Sequence, residues 1–294
     1  MGLLVKDVDK TFGTKKVVDK ISFEINKPSV YGLLGTNGAG KTTTIRMLLG
    51  IIKKDCGIME WNKKPIIRKN VNFGYLPEER GIYPKDTIYN QLMYFSKLKG
   101  MKSREADEAI KYWLHRFEVD EYIDMQAEKL SKGNKQKIQI ILSLLNDPEL
   151  LILDEPFSGL DPINTEILKN VITELVDKGC YIIMSSHQMN RIEEFCEDIL
   201  LLDRGKTVLQ GNLKQIKASY KTKSIQISSN EDITEYIQNY NIVKNANNEI
   251  EILVSGDNEG KEILRKLVNS GVDINKFEFK KPSLDDIFVE KVGK

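Results

Sequence analysis

The chain has 294 residues, with 44 Lys plus Arg against 43 Asp plus Glu and a formal net charge of +1. That balance leaves no basic footprint for nucleic acid, and no apolar run approaches the roughly 18 residues that cross a bilayer. Three cysteines without C-x-x-C spacing and two histidines argue against a disulfide framework or a histidine-based metal cluster. The length suits one large domain and a smaller one.

In chain order, residues 3–8 read as a strand. Asp7 interrupts this first apolar stretch, so the start is not expected to act as a signal peptide. Phe12-Gly13 reads as a loop, residues 15–18 as a second strand, and residues 21–25 as a third whose alternation marks it as half-buried. The Phe12 ring can either stack on a base or pack the turn.

The apolar run 30–34 leads into Gly35-Thr36-Asn37-Gly38-Ala39-Gly40-Lys41-Thr42, which fits G-x-x-x-x-G-K-[ST], and a helical pattern follows over 43–49. Strand, glycine-rich turn and helix are the context this motif needs. The glycines let backbone N–H groups converge on one anion, and the helix start adds its positive dipole end. Lys41 supplies a charge for β- and γ-phosphates, and Thr42 a hydroxyl for Mg²⁺. We read the segment as a nucleotide-phosphate cradle.

Short strands are expected over 57–61 and 72–76, the second ending at Pro77, followed by a charged loop from Glu78 to Tyr83. A helical block comes next: 87–98, then 103–117 with Ser103 as a cap, then a short segment over 122–129. A largely buried helix over 137–145 stops at Pro148. Ser131 and Gly133 stand at its N-terminal end, an anion-attracting position, although serine there is ordinarily only a cap.

Leu150-Leu151-Ile152-Leu153-Asp154-Glu155 is a continuous apolar run ending in two acids, the pattern of a strand buried on both faces. Its C-terminal end is where open α/β sheets place ligands. Beside the cradle, Asp154 suits Mg²⁺ and Glu155 suits orienting or deprotonating a water; the alternative is a pair of solvated loop acids. A turn at 159–162 precedes a helix over 164–178, and a buried strand over 181–186 ends at His187. A lone histidine is usually structural; at this strand end it can instead hydrogen-bond a terminal phosphate. A helix over 189–196, a strand over 198–202 and a hairpin turn at 203–206 complete this part.

Over roughly residues 1–215 these motifs, in this order, resemble an ATP-binding-cassette (ABC) transporter ATPase subunit, exporter type. Gly35 to Thr42 resembles Walker A, Leu130-Ser131-Lys132-Gly133-Asn134 the LSGGQ signature, and residues 150–155 Walker B with its catalytic glutamate. Ser158-Gly159-Leu160-Asp161 resembles the D-loop and His187 the switch histidine. The resemblance implies an α/β P-loop cassette with a mixed sheet core, N-terminal antiparallel strands and a helical subdomain at about 84–148. It implies ATP and Mg²⁺ as cofactors, with Glu155, His187 and Lys41 catalytic. It implies nucleotide contacts at Phe12, Val17, Gly35, Asn37, Gly38, Ala39, Gly40, Lys41, Thr42, Thr43, Ser131, Gly133 and Asp161, and metal contacts at Thr42, Asp154 and Glu78. It further implies a head-to-tail dimer with ATP between two copies, a separate membrane-spanning permease, and a cytoplasmic location on the inner face of the membrane.

Two motifs, at three positions, depart from the family pattern. Lys132 and Asn134 replace a glycine and a glutamine of the signature. Glu78 stands where the family carries glutamine; a carboxylate binds Mg²⁺ well but repels phosphate and cannot donate when ionised. Glu78 therefore either ligates metal or only shapes the loop that faces the permease. A soluble ABC protein of translation or repair, or a module that binds ATP without hydrolysing it, are the competing readings.

Residues 216–294 read as β-α-β-β-α-β, a ferredoxin-like order, with a last helix capped by Ser283. This tail resembles the accessory C-terminal domain of exporter-type cassettes.

Overall fold

A computed structural model describes residues 2–67, 69–78, 81–220, 224–246 and 249–293. The chain separates into two compact units, 1–210 and 211–294, where the sequence reading drew the line after residue 215.

The first unit opens with β1 (Leu3–Phe12) and β2 (Lys15–Ile25), paired antiparallel. β1 runs on past Val8 to Phe12, so Phe12 ends a strand instead of sitting in a loop. The two strands expected over 15–25 are one. Lys20 at φ 52° bends it where the alternation breaks. A second irregularity lies at Val17: Thr11 faces Lys16 while Lys10 faces Val18, leaving Val17 as the extra residue of a bulge. β3 (Val30–Gly35) is wholly buried and feeds the glycine loop and α1 (Lys41–Leu48). β4 (Cys56–Trp61) pairs with β1, and the two-residue β5 (Lys64–Pro65), which the sequence did not suggest, closes the order β2-β1-β4-β5.

After β6 (Phe73–Leu76) come three helices. In α2 (Ile88–Leu98) the Thr87 hydroxyl accepts from the Asn90 N–H, 3.3 Å. In α3 (Ser103–Arg116) Lys102 takes the cap position and Ser103 is already helical; the Glu105 carboxylate accepts from the Lys102 N–H, 3.3 Å, and so closes the helix start without a serine cap. Residues 120–122 and 127–129 form two separate 3₁₀ turns in place of one helical segment. α4 (Lys132–Leu144) starts five residues before the expected point, with Ser131 as its cap.

β7 (Leu150–Asp154), α5 (Pro162–Asp177), β8 (Tyr181–Ser186), the single-turn α6 (Met189–Ile192), β9 (Asp198–Asp203) and β10 (Lys206–Asn212) follow. The central sheet has the order β10-β9-β3-β8-β7-β6. Its β9-β3-β8-β7-β6 pairs are parallel, and β10 returns from β9 through a two-residue hairpin, making the sheet mixed. β7 and β8 bury almost every residue, as strands covered on both faces do. Their parallel alignment with β3 brings Gly35, Asp154 and Ser186 to one edge, the carboxyl ends of the strands.

The second unit begins with α7 (Leu213–Ser219), absent from the sequence reading. It continues with β11 (Ser224–Ser229), α8 (Thr234–Ile237), β12 (Asn241–Ala246), β13 (Glu249–Leu253), α9 (Asp257–Asn269), β14 (Ile274–Lys280) and α10 (Leu284–Val292). The sheet order β12-β13-β11-β14, antiparallel throughout, is that of a ferredoxin-like fold. Ile225, Ile227 and Ile252 pack on Ile263 and Leu267 of α9 in its core.

Candidate nucleotide site

At the carboxyl edge of the central sheet lies a cleft of about 300 Å³, within the range of small-ligand sites. Its walls bring together Val17, Asn37, Gly38, Gly40, Lys41, Thr42, Thr43, Glu78, Asp154 and Glu155. Residues from four separate stretches, 17, 37–43, 78 and 154–155, thus meet at the glycine-rich loop.

The loop is shaped by close backbone approach. Ala39 N–H donates to the Thr36 carbonyl, 3.1 Å, and the Gly205 N–H donates to the Ala39 carbonyl, 3.0 Å. The bulge at Val17 turns its carbonyl toward the loop, where a Cβ on Gly40 would stand 2.7 Å from it. Gly40 caps α1 at φ 105°, and its carbonyl accepts from the Thr44 N–H and hydroxyl, both 2.9 Å.

Lys41 is 6% exposed. Its Nζ donates to the Gly35 carbonyl at 2.7 Å and the Thr36 carbonyl at 3.2 Å. Burial pulls the ammonium below the usual lysine range, and the negative charges of Glu155, Asp154 and Glu78 pull the other way. A buried cation facing three carboxylates sets up a site for an anion that brings its own metal.

Asp154 is buried at the end of β7. The Ser185 hydroxyl donates to one carboxylate oxygen, and the Thr42 hydroxyl donates to the other at 3.3 Å. Burial pushes this carboxyl above the usual carboxylate range, and the neighbouring Glu78 and Glu155 add to it, against the two hydroxyl donors. A carboxylate raised in this way gains most from a cation between it and Thr42.

Glu155 follows at φ 52°, in the left-handed region that non-glycine residues seldom adopt. The strain turns its side chain back along β8. There the Ser186 hydroxyl donates to Oε2 at 3.1 Å and the His187 N–H donates to Oε1 at 2.8 Å. The His187 ring Nδ1 lies 2.6 Å from the same Oε1, which leaves Nε2 available for another acceptor or donor. Local strain held by several hydrogen bonds is the mark of a functional position.

Seven sequence candidates lie outside these walls: Gly35, Ala39 and His187, whose contacts are given above, and Phe12, Ser131, Gly133 and Asp161. Phe12 is 48% exposed at the end of β1. Ser131 caps α4 by accepting from the Asn134 N–H, 3.2 Å. Gly133 packs beside the Gly159 carbonyl, while the Lys132 stem lies across Gly159, so signature and D-loop residues touch each other. Asp161 caps α5, with its two oxygens accepting from the Asn164 N–H and side-chain amide, each 2.8 Å. Ser185 and Ser186 were missed. Two hydroxyls ending a buried apolar strand must find acceptors, and that was the signal for them. Gln136 is a further supporting residue, donating to the Pro156 carbonyl at 3.1 Å and so tying α4 to the loop after Glu155.

Comparison with known proteins agrees with this geometry. The family described as ABC transporter matches residues 18–158, and the one described as ATP-binding protein DrrA1-3-like, C-terminal domain, matches residues 211–292. ABC transporter ATP-binding protein YhaQ of Bacillus subtilis is 45% identical over 99% of this chain and 98% of its own. The bacitracin transport ATP-binding protein BcrA of Bacillus licheniformis is 33% identical over 100% of this chain and 98% of its own. A solved ATP binding subunit of an ABC transporter superposes with TM-score 0.68 at 28% identity, covering 74% of this chain and 92% of that one. Sequence, fold and cleft together place the chain in the family of ABC transporter ATP-binding subunits.

Proposed function

We propose that this chain hydrolyses MgATP between two copies of itself and drives a separate permease in the export direction. The observation that carries the proposal is Glu155, held by Ser186 and His187 at a strained strand end next to the Lys41–Thr42 loop.

The donor set fits the magnesium salt of a nucleoside triphosphate. Backbone N–H groups at 38–42, the start of α1 and the Lys41 ammonium suit a polyphosphate. The Thr42 hydroxyl and Asp154 carboxylate are hard oxygen donors, as Mg²⁺ requires; Glu78, which also lines the cleft, is a third. Mg²⁺ would supply Lewis-acid relief of phosphate charge at that place.

The chain's own groups divide the work. Lys41 offsets charge on the terminal phosphates. Glu155 accepts a proton from the attacking water, a transfer of the general-base type. His187, with Nδ1 engaged by Glu155, offers Nε2 to a terminal phosphate oxygen. Val17, Asn37, Ala39 and Thr43 enclose the phosphates, and Phe12 offers a ring to the base. Ser131, Gly133 and Asp161 close over the triphosphate bound in the second copy, so that an anion bridges two positive helix ends and its cleavage lets the copies part.

Export and a membrane partner rest on kinship. BcrA is named for bacitracin transport, and Nod factor export ATP-binding protein I of Burkholderia lata is 32% identical over 70% of this chain. No helix among the described residues is long and apolar enough to cross a membrane, so passage falls to another subunit. The accessory role belongs to residues 216–294.

Glu155→Gln tests the reading. With ATP and Mg²⁺ the variant forms a stable dimer by light scattering and loses steady-state turnover. Turnover at the wild-type rate, or a chain that stays monomeric, overturns it.

A further inference from the structure

Phe12 does not hang free at its strand end. The Lys10 ammonium lies 5.2 Å from the centre of its ring. That ammonium is fixed in turn, donating to Asp55 Oδ1 at 2.7 Å, and the Lys10 side chain is only 14% exposed. The other Asp55 oxygen accepts the N–H of Thr11 at 2.7 Å, one residue before Phe12. The Asp55 N–H donates to the Asp9 carbonyl at 2.9 Å. One carboxylate just before β4 thus holds both the backbone that carries Phe12 and the cation over its ring.

Phe12 faces Lys15 across the β1–β2 ladder, two residues from Val17 in the cleft wall. At roughly 3.3 Å per strand residue and about 5 Å between strands, the ring stands about one nucleoside length from the phosphate loop. No other aromatic ring pairs with it among the described residues, and half its surface is open.

We propose that Lys10 and Asp55 are positioning residues for base recognition: they clamp Phe12 into a one-sided platform whose open face takes the purine of the nucleotide. A cation on one face draws ring electron density toward itself. The opposite face then suits an electron-rich purine. The pair acts through Phe12 and touches no phosphate. This rests on the nucleotide reading above and adds to it what holds the base platform in place.

The test compares ADP with pyrophosphate, by calorimetry on the full chain, because ADP carries the base and is not hydrolysed. Phe12→Ala is expected to weaken ADP about tenfold or more while pyrophosphate binding stays unchanged. Lys10→Met and Asp55→Asn are each expected to weaken ADP about three- to fivefold, again with pyrophosphate unchanged. Lys10→Met in the Phe12→Ala background is expected to add nothing. If Phe12→Ala weakens ADP but neither Lys10→Met nor Asp55→Asn does, the clamp is wrong and the base platform stands. If both clamp variants weaken ADP and pyrophosphate alike, their effect is on the fold, and the clamp is again wrong. If Phe12→Ala changes nothing, the platform itself fails, and the clamp with it.

Discussion

Two glycines of the same loop separate conformational strain from steric contact. Gly38 sits at φ 80° with nothing within 4 Å of where a Cβ would stand, whereas Gly40 sits at φ 105° with the Val17 carbonyl oxygen only 2.7 Å from that position. In Gly38→Ala the only cost is a left-handed backbone, about 1–2 kcal/mol. In Gly40→Ala the same strain is joined by a contact that the Val17 bulge cannot relieve without moving, a further overpacking cost of about 1–3 kcal/mol. At roughly 2–4 °C per kcal/mol for a unit of this size, Gly38→Ala lowers the melting temperature by about 2–8 °C, and Gly40→Ala by about 4–20 °C. Thermal melting of nucleotide-free protein reads the difference. ATP binding follows the same order, because Gly40 caps the helix whose first N–H groups face the cleft. Equal melting temperatures for the two variants, or a milder Gly40→Ala, would show that Val17 does not hold the loop.

Asp154→Asn is expected to raise the melting temperature of nucleotide-free protein, since it removes a carboxylate whose charge burial disfavours; an unchanged or lower melting temperature would overturn this. The same variant loses the additional stabilisation by ATP that Mg²⁺ confers. Alkylation of native protein is expected to label Cys56 alone, because Cys180 and Cys196 are buried and burial pushes the Cys180 thiol up to about 12. The hydrogen bond from Cys56 Sγ to Asp9, 3.0 Å, holds the Cys56 thiol above its usual range, so Asp9→Asn speeds its alkylation near pH 8, which mass spectrometry follows. Ser283→Ala removes the hydroxyl that accepts from the Asp286 N–H at 3.1 Å and costs α10 about 1 kcal/mol, visible as a lower melting temperature of the second unit.

Where one local force dominates, the sequence alone identifies the element. The glycine loop needs its glycines and lysine in order, and β7 can only be a doubly covered strand, so both are legible without coordinates. The ferredoxin-like order of the second unit is legible for the same reason, as its strands are short and separated by clear helical patterns. The misread places are where a single residue overrides its neighbours. Lys20 at φ 52° bends one strand that alternation alone divides in two. At α3 a glutamate supplies the closure that Ser103 suggests. In the site, the cradle and the two acids are readable because they are contiguous. Ser185, Ser186 and the Lys10–Asp55 pair are not, because their roles depend on pairing across 31 residues or 45.

The chemistry of the cleft depends on groups that already satisfy one another. Lys41 rests on the carbonyls of Gly35 and Thr36, Thr42 on Asp154, and Glu155 on His187 and Ser186. The first two of these are bonds between a reactive group and a neighbour that a polyphosphate with its metal can replace in kind. An anion takes the place of the loop carbonyls at Lys41. A cation takes the place of the Thr42 hydroxyl at Asp154. Binding therefore exchanges hydrogen bonds instead of creating them, and the net gain comes from charge. A buried ammonium held below its usual range and a buried carboxyl held above it both relax when a counter-ion arrives. In the function we propose, the metal offsets charge that a triphosphate alone would add to Glu78, Asp154 and Glu155, the three carboxylates facing Lys41. ATP without Mg²⁺ is accordingly expected to bind more weakly to this chain than to its Glu78→Gln variant, and a calorimetric titration in excess chelator decides it: equal affinities would mean that Glu78 does not share the field of the site.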